Sequence, residues 1–74
     1  MDIKALIGAN LREIRQARGL SQEGLAFECG LHRTYISGIE RGARNPTATV
    51  IEQIAVALEV KPSALFANWS PPGR

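Results

Sequence analysis

The feature of this sequence that most restricts its fold is the helical spacing of its apolar residues. In the first segment they recur at intervals of three and four, at Ile3, Leu6, Ile7, Leu11 and Ile14. This spacing places them on one face of an amphipathic helix of about four turns. Arg18 and Gly19 follow, and a basic last turn with glycine after it is typical of a helix end.

Two shorter helices are predicted in the next segment. Ser21 suits the N-cap of the first, because its hydroxyl can accept a main-chain N–H at the start of a helix. Gly30 ends this helix, whose apolar stripe consists of Leu25, Ala26 and Cys29. The other helix runs over residues 32–41 and is closed by Gly42.

The last third of the chain predicts one more helix and a final turn. The Asn45-Pro46-Thr47 segment separates them from what precedes, and either Thr47 or Thr49 can serve as the N-cap. The buried stripe of this fourth helix consists of Val50, Ile51, Ile54, Ala55 and Leu58. A fifth helix begins at Pro62 and returns Leu65 and Phe66 to the core.

The predicted fold class is all-α, because no strand alternation and no Asn-Gly or Asp-Gly hairpin signal is present. Residues 1–67 are predicted to form one domain, and residues 68–74 a flexible tail. A domain of this size buries only about 60% of its unfolded surface, so each apolar position matters to stability.

The composition excludes several kinds of protein. One cysteine and one histidine are too few for a disulfide or a zinc site, so no cofactor is expected. No apolar run approaches the roughly 20 residues of a membrane span, and no signal-peptide core is present. We therefore expect a cytoplasmic protein, with no membrane contact and no small-molecule ligand. Cys29 is expected to be a small buried apolar residue, with a reactive thiol as the alternative.

The chain also lacks the side-chain sets that enzymes use. It shows no carboxylate pair, no Cys/His couple and no phosphate-binding loop, so it is not expected to be an enzyme. Its net charge is only +2, but residues 33–44 carry Arg33, Arg41 and Arg44 against Glu40 alone. Such a positive stretch points weakly to nucleic acid and would otherwise be an ordinary solvated surface.

The third predicted helix has an unusual exposed face. On a helical wheel, Ile36 and Ile39 share one side and Glu40 lies at its margin. The opposite side carries Arg33, Thr34, Ser37, Gly38 and Arg41. Glycine costs about 1 kcal/mol relative to alanine inside a helix. Gly38 is therefore either a poor residue on an ordinary surface or a place where a large partner approaches the backbone, and we favour the second reading.

The second and third helices, with Gly30 between them, have the size and punctuation of a helix-turn-helix. In that motif the second helix enters the major groove of DNA. Arginine can bond guanine through two donors, and Thr or Ser can contact several base edges. Gln22, at the start of the second helix, could donate to a phosphate.

The run SQEGLAFECGLHRTYISGIERGARNPT resembles the phage-repressor-like (Cro/CI, or XRE) helix-turn-helix family. The resemblance covers residues 11–66, nearly the whole domain. It includes the LSQ start, the Gly30 turn, the IxxIExG pattern ending at Gly42, and the later LxVxPxxLF pattern. The string HRTYISGIER is most similar to the small controller proteins of restriction–modification systems. The resemblance implies a compact five-helix lambda-repressor-like domain with its helix-turn-helix at residues 21–41.

The resemblance also implies roles for individual residues. The base edges would be read by Arg33, Thr34 and Ser37. The DNA backbone would be contacted by Gln22, His32, Tyr35, Arg41, Arg44 and Asn45. An ion pair would join Arg15 to Glu40, although a phosphate contact is the alternative for Arg15. Gly38 departs from relatives that have a long side chain there.

The implied function is a homodimeric transcriptional regulator on a palindromic double-stranded DNA operator. Candidate residues for the dimer interface are Val50, Val56 and Phe66, while Trp69 either caps the core or meets a second chain. The alternative function is an antitoxin-like protein-interaction module with weak DNA binding, whose contacts would lie on the fourth helix and the tail.

Overall fold

The chain forms four α-helices and one short 3-10 helix in a computed structural model, which describes residues 2–73. The elements are α1 (Ile3–Ala17), α2 (Gln22–Cys29), α3 (Arg33–Glu40), α4 (Ala48–Leu58) and the 3-10 helix (Pro62–Phe66). Residues 2–73 contain no strand, so the predicted all-α class is confirmed. Met1, in the predicted domain 1–67, and Arg74, in the predicted tail 68–74, lie outside the described residues.

Side-chain caps and a left-handed glycine set the helix boundaries near the predicted positions. Ser21 Oγ accepts the Gly24 N–H at 2.9 Å, and Thr47 Oγ1 accepts the Val50 N–H at 3.2 Å. Thr47 rather than Thr49 is therefore the N-cap of α4. Gly30 ends α2 with a φ of 70°, a conformation that glycine adopts without strain.

The predicted fifth helix, begun at Pro62, is a five-residue 3-10 helix and not a fifth α-helix. Five residues are too few for a stable α-helix, and 3-10 bonds pair their main-chain groups within one short turn. With three residues per turn, neighbouring side chains point about 120° apart. Leu65 is therefore buried whereas Phe66 remains 37% exposed, so the expected return of Phe66 to the core is wrong.

The core lies where all five elements meet. Its largest fully buried side chains are Leu11, Leu25, Ile36, Ile39, Ile54, Leu58 and Leu65. Helix α3 packs against both α1 and α2, while α4 packs against α2 and the 3-10 helix. Asn10 Nδ2 ties the 3-10 helix to α1 by donating to the carbonyls of Leu65 and Ala67, at 2.9 and 3.0 Å. Within residues 2–73 no helix is long and apolar enough to cross a membrane.

Helix α1 approaches the end of α3 so closely that only glycine fits at residue 8. A Cβ added to Gly8 would overlap the Ile39 carbonyl oxygen and lie 2.7 Å from that of Glu40. These are main-chain atoms, which cannot move without shifting α3 as a whole. Gly42 makes a second close approach, since its Cβ would lie 3.2 Å from Ala5 Cα and its φ is 73°. The position of α3 therefore depends on small residues along α1.

A buried ion pair joins the same two helices. Arg15 Nε donates to Glu40 Oε2 at 2.6 Å and Nη2 donates to Glu40 Oε1 at 3.0 Å, a two-pronged geometry. The two side chains are only 10% and 4% exposed. The hydrogen bond with Glu40 and its negative charge raise the pKa of Arg15. The pairing expected of these residues is thus present, and Arg15 does not face solvent as a phosphate contact would require.

Two further bonds complete the network around this pair. Arg15 Nη1 donates to the Leu20 carbonyl at 2.7 Å, and Gln22 Nε2 donates to Glu40 Oε1 at 3.0 Å. No buried side-chain nitrogen or oxygen among the described residues lacks a partner. Because Gln22 begins α2, a single carboxylate links α1, α2 and α3.

Replacing Gly8 with alanine should destabilise the domain by about 2 kcal/mol or more, since overpacking against rigid neighbours costs about 1–3 kcal/mol and occasionally more. Thermal unfolding followed by circular dichroism measures the loss. The matched control is Gly24→Ala in α2, where the nearest atoms are side-chain atoms at 3.1 Å and beyond. Equal stability of the two variants would contradict the assigned role of Gly8.

Replacing Glu40 with glutamine should lower the free energy of unfolding by about 3 kcal/mol, because it leaves the buried Arg15 charge without its counter-ion. Urea denaturation measures this change. Glu59→Gln is the control, since it removes an ion pair with Arg18 in which the side chains are 40% and 71% exposed. That exposed pair should contribute less than about 1 kcal/mol. If Glu40→Gln were as mild as its control, the buried pair would not hold the three helices together.

Candidate nucleic-acid interface

Helices α2 and α3 and the turn between them form a compact unit on the outside of the core. Ile36 and Ile39 are fully buried and attach α3 to the domain. His32 precedes α3 as its N-cap residue, with an extended backbone and no side-chain capping bond. Its side chain is exposed, beside the free N–H groups of the first turn. The unit therefore presents the start of α3, with Arg33 and Thr34, to solvent.

The three residues predicted to read bases differ in exposure. Arg33 and Thr34 are exposed, whereas Ser37 is half-buried one turn further along α3. Arg33 also lines a groove between α2 and α3 together with Gln22 and Glu23. The structure thus brings Arg33 and Gln22 to one concave surface at the start of both helices.

Gln22 is held in place by the buried network. Its Nε2 donates to Glu40 Oε1, which uses one of the two amide hydrogens. The half-buried side chain keeps a second N–H at the edge of the groove. The phosphate contact predicted for Gln22 remains a prediction, and the structure shows that this residue also has a structural role.

The basic segment after α3 lies on the surface. Arg41, Arg44 and Asn45 are all exposed. Arg41 lines a second groove, between α1 and α3, which also contains Arg12 and Glu13. The Arg44 guanidinium carbon lies 5.5 Å from the centroid of the Tyr35 ring, within the range of a cation–π interaction. Tyr35 is half-buried and packs against the core.

The approach of a large partner at Gly38 remains a prediction, but here an arginine side chain fills the space beside this residue. Gly38 is buried, and the three atoms nearest to a Cβ built on it all belong to the Arg44 side chain. The loop after α3 folds back over this position, because the N–H groups of Ala43 and Arg44 both donate to the Gly38 carbonyl. The wheel treats α3 as an isolated cylinder and cannot show a loop that covers it.

Two residues of this surface were not predicted from the sequence. Phe27 is 87% exposed and lines the same groove as Arg33. Its signal was available, because it lies opposite the apolar stripe of α2. Arg12 shares the second groove with Arg41, and only the packing of α1 against α3 brings these two cations together.

The candidate dimer residues lie in different surroundings. Val56 is 72% exposed and lies in a depression with Glu28 and Cys29. Phe66 shares an apolar depression with Ile3 and Trp69. Val50 is half-buried and packs against the core. The dimer role of all three stays a prediction.

Cys29 is buried at the end of α2, and burial, with a smaller contribution from the negative charge of Glu28, raises the pKa of its thiol. This agrees with a small apolar role in the core. No group of three potential metal-ligating side chains occurs within residues 2–73.

The charge on the α3 surface depends on the burial of Glu40 in its ion pair with Arg15. Glu40 is the only acidic residue between Glu28 and Glu52, and its carboxylate lies inside the network. The cations of α3 and the following loop are Arg33, Arg41 and Arg44, all exposed. This stretch therefore presents positive charge and hydrogen-bond donors to solvent, with no exposed carboxylate of its own.

Comparison with known proteins places this geometry in a family. The helix-turn-helix family profile (HTH_3) matches residues 11–65. The control protein C.BamHI of Bacillus amyloliquefaciens is 54% identical over 66 residues, which cover 88% of this chain and 82% of that protein.

Two solved structures share the fold. The restriction–modification controller protein C.AhdI from Aeromonas hydrophila has a TM-score of 0.83 and 49% identity, covering 85% of this chain and 96% of that one. The controller protein C.Esp1396I, solved as a tetramer in complex with its natural 35 base-pair operator, has a TM-score of 0.80 and 39% identity. That match covers 89% of this chain and 87% of the other. The chain therefore belongs to the helix-turn-helix family of transcription regulators, and it is a homologue of the controller proteins of restriction–modification systems.

Proposed function

We propose that this protein binds a palindromic operator as a homodimer and controls the genes of a restriction–modification system. The observation that carries the proposal is the exposed, carboxylate-free surface of α3, held rigidly by a buried carboxylate at its end. An α-helix fits the major groove of DNA, and the donors on this helix match the acceptors on base edges there. The homologue C.Esp1396I was solved in complex with its natural operator, which supports operator binding by this chain.

In the proposed complex α3 enters the major groove with its N-terminal half towards the bases. Arg33 bonds a guanine, while Thr34 and Ser37 contact neighbouring base edges. Gln22, His32 and Tyr35 bind phosphates on one side of the groove. The phosphates on the other side are bound by Arg41, Arg44 and Asn45.

A single α3 reads too few base pairs to select one site in a genome. Two copies related by a twofold axis place their recognition helices about 34–36 Å apart, one turn of DNA, and so double the sequence that is read. Val50, Val56 and Phe66 are the residues we assign to the contact between the copies. In this proposal the occupancy of the operator is set by the concentration of the protein.

The direct test is a mobility-shift titration with the DNA upstream of the protein's own gene and a scrambled competitor. A specific shift that survives the competitor supports the proposal. A protein-interaction module, acting through exposed residues such as Val56 and Trp69, would give no specific shift at moderate salt. That result would refute the regulator.

Arg33→Ala should weaken operator binding by about 1–3 kcal/mol per half-site and relax the preference at one base pair, because a bidentate base contact is lost. Arg44→Ala should instead weaken binding to operator and scrambled duplexes by a similar factor, because a phosphate contact carries no sequence information. Fluorescence anisotropy with operator and single-base variants measures both effects. Lys61→Ala, which removes an exposed cation outside the helix-turn-helix, is the control. If Arg33→Ala lost affinity equally on operator and scrambled DNA, the base-reading role would be wrong.

Arg41→Ala should reduce the slope of log affinity against log salt concentration. Each phosphate contact contributes about 0.9 to that slope through counter-ion release, so a homodimer that loses two contacts should lose about two. Titrations over a series of salt concentrations give the slope for wild type and variant. An unchanged slope would show that Arg41 does not bind a phosphate.

A further inference from the structure

The side chain of Arg44 packs on Gly38 and reaches the Tyr35 ring, an arrangement that the proposed DNA contacts do not explain. We call this arrangement the Arg44 seat. A Cβ on Gly38 would lie 2.5 Å from Arg44 Cγ, 3.4 Å from Nε and 3.5 Å from Cδ. The aliphatic part of Arg44 therefore lies directly on the bare backbone of α3. Any side chain at residue 38 would occupy the space that Arg44 now fills.

The main chain brings Arg44 to this position. The N–H groups of Ala43 and Arg44 donate to the Gly38 carbonyl at 2.9 and 3.2 Å, so the loop turns back at the end of α3. Gly42, with a φ of 73°, allows this reversal. The side chain of Arg44 leaves the loop already directed along α3.

The far end of Arg44 is held by Tyr35. The guanidinium carbon lies 5.5 Å from the ring centroid, and a planar guanidinium stacks well on an aromatic face. Arg44 is nevertheless exposed, so its N–H donors remain available to a ligand. Gly38 and Tyr35 thus restrict the side chain without using its donors.

We propose that Gly38 is a positioning residue that seats Arg44 against Tyr35, so that its guanidinium is already ordered when DNA arrives. This inference rests on the proposed function and adds a role for a residue that contacts no base. A free arginine side chain loses rotamer freedom when it binds a phosphate, whereas a seated one has lost most of it beforehand. The seat should therefore raise affinity for DNA of every sequence.

This role differs from simple clearance for the duplex. If Gly38 only made room for DNA, a methyl group at this position would weaken binding whether or not Arg44 was present. If Gly38 seats Arg44, the methyl group acts through Arg44 and has no effect once that side chain is gone. The two explanations give different results in a double-mutant cycle.

The cycle compares wild type, Gly38→Ala, Arg44→Ala and the double variant by fluorescence anisotropy on the upstream duplex. Gly38→Ala should lower affinity about two- to tenfold per half-site, the range expected for ordering one long side chain. Combined with Arg44→Ala, it should add no further loss. Alanine is a better helix former than glycine, so Gly38→Ala should keep its fold, which circular dichroism checks.

Arg41→Ala supplies the matched background, because Arg41 is a neighbouring exposed arginine. Arg41 contributes none of the three atoms nearest to a Cβ on Gly38, which all belong to Arg44. In the Arg41→Ala background, Gly38→Ala should reduce DNA affinity by the same factor as in wild type. If Gly38→Ala reduced DNA affinity by the same factor in the Arg44→Ala background as in wild type, Gly38 would act only by making room for DNA, and the seat would be overturned. The seat would also be overturned if the single variant Gly38→Ala bound DNA with wild-type affinity.

A measurement without DNA separates this proposal from the proposed function. In the free protein, NMR should show the Arg44 side-chain protons shifted upfield by the Tyr35 ring, and Gly38→Ala and Tyr35→Leu should both remove that shift. If Gly38→Ala left the shift unchanged, the seat would be wrong whatever the DNA results. If the shift behaved as expected but wild type did not distinguish its upstream duplex from scrambled DNA, the proposed function would fail and the seat would stand as a structural feature only.

Discussion

The buried carboxylate of Glu40 is the interaction on which the remaining structure depends. It accepts two bonds from Arg15 of α1 and one from Gln22 of α2, and so fixes three helices at a single point. Burying two charges is costly, and only the paired geometry with every donor and acceptor satisfied offsets that cost. The same burial removes a negative charge from the α3 surface. Glu40 therefore links the three helices and leaves the charge of the exposed Arg33, Arg41 and Arg44 unopposed on this surface.

Main-chain proximity determines the orientation of α3 as much as side-chain packing does. Gly8 lets α1 come within reach of the carbonyl groups at the end of α3, and this is where Glu40 meets Arg15. In a domain of 74 residues the total stability is only about 4–11 kcal/mol. The close crossing and the ion pair together are thus a large part of what holds the recognition helix in one position, which a base-reading role requires.

Local features of the fold were predictable because they depend on neighbouring residues. Ser21 caps α2 and Gly30 ends it, and the apolar core residues of α1, α2 and α4 all belong to the predicted stripes, although Ile3 is exposed and Val50 is only half-buried. The family resemblance, drawn from motifs such as IxxIExG, is confirmed by the comparisons. The 3-10 form of the fifth helix was not predicted and the burial of Phe66 was predicted wrongly, because a five-residue segment adopts 3-10 geometry and places successive side chains on different sides. The roles assigned to single residues in DNA binding remain proposals.

The sequence by itself determined the helical class and the helix-turn-helix, since spacing, caps and motifs are local properties of the chain. Only the tertiary structure decided what Gly8 and Gly38 do. Gly8 packs against the main chain of α3, and Gly38 packs against the side chain of Arg44. A glycine in a helix shows only that a Cβ is absent. What fills that space depends on residues brought there by the fold, α3 in one case and the loop after α3 in the other.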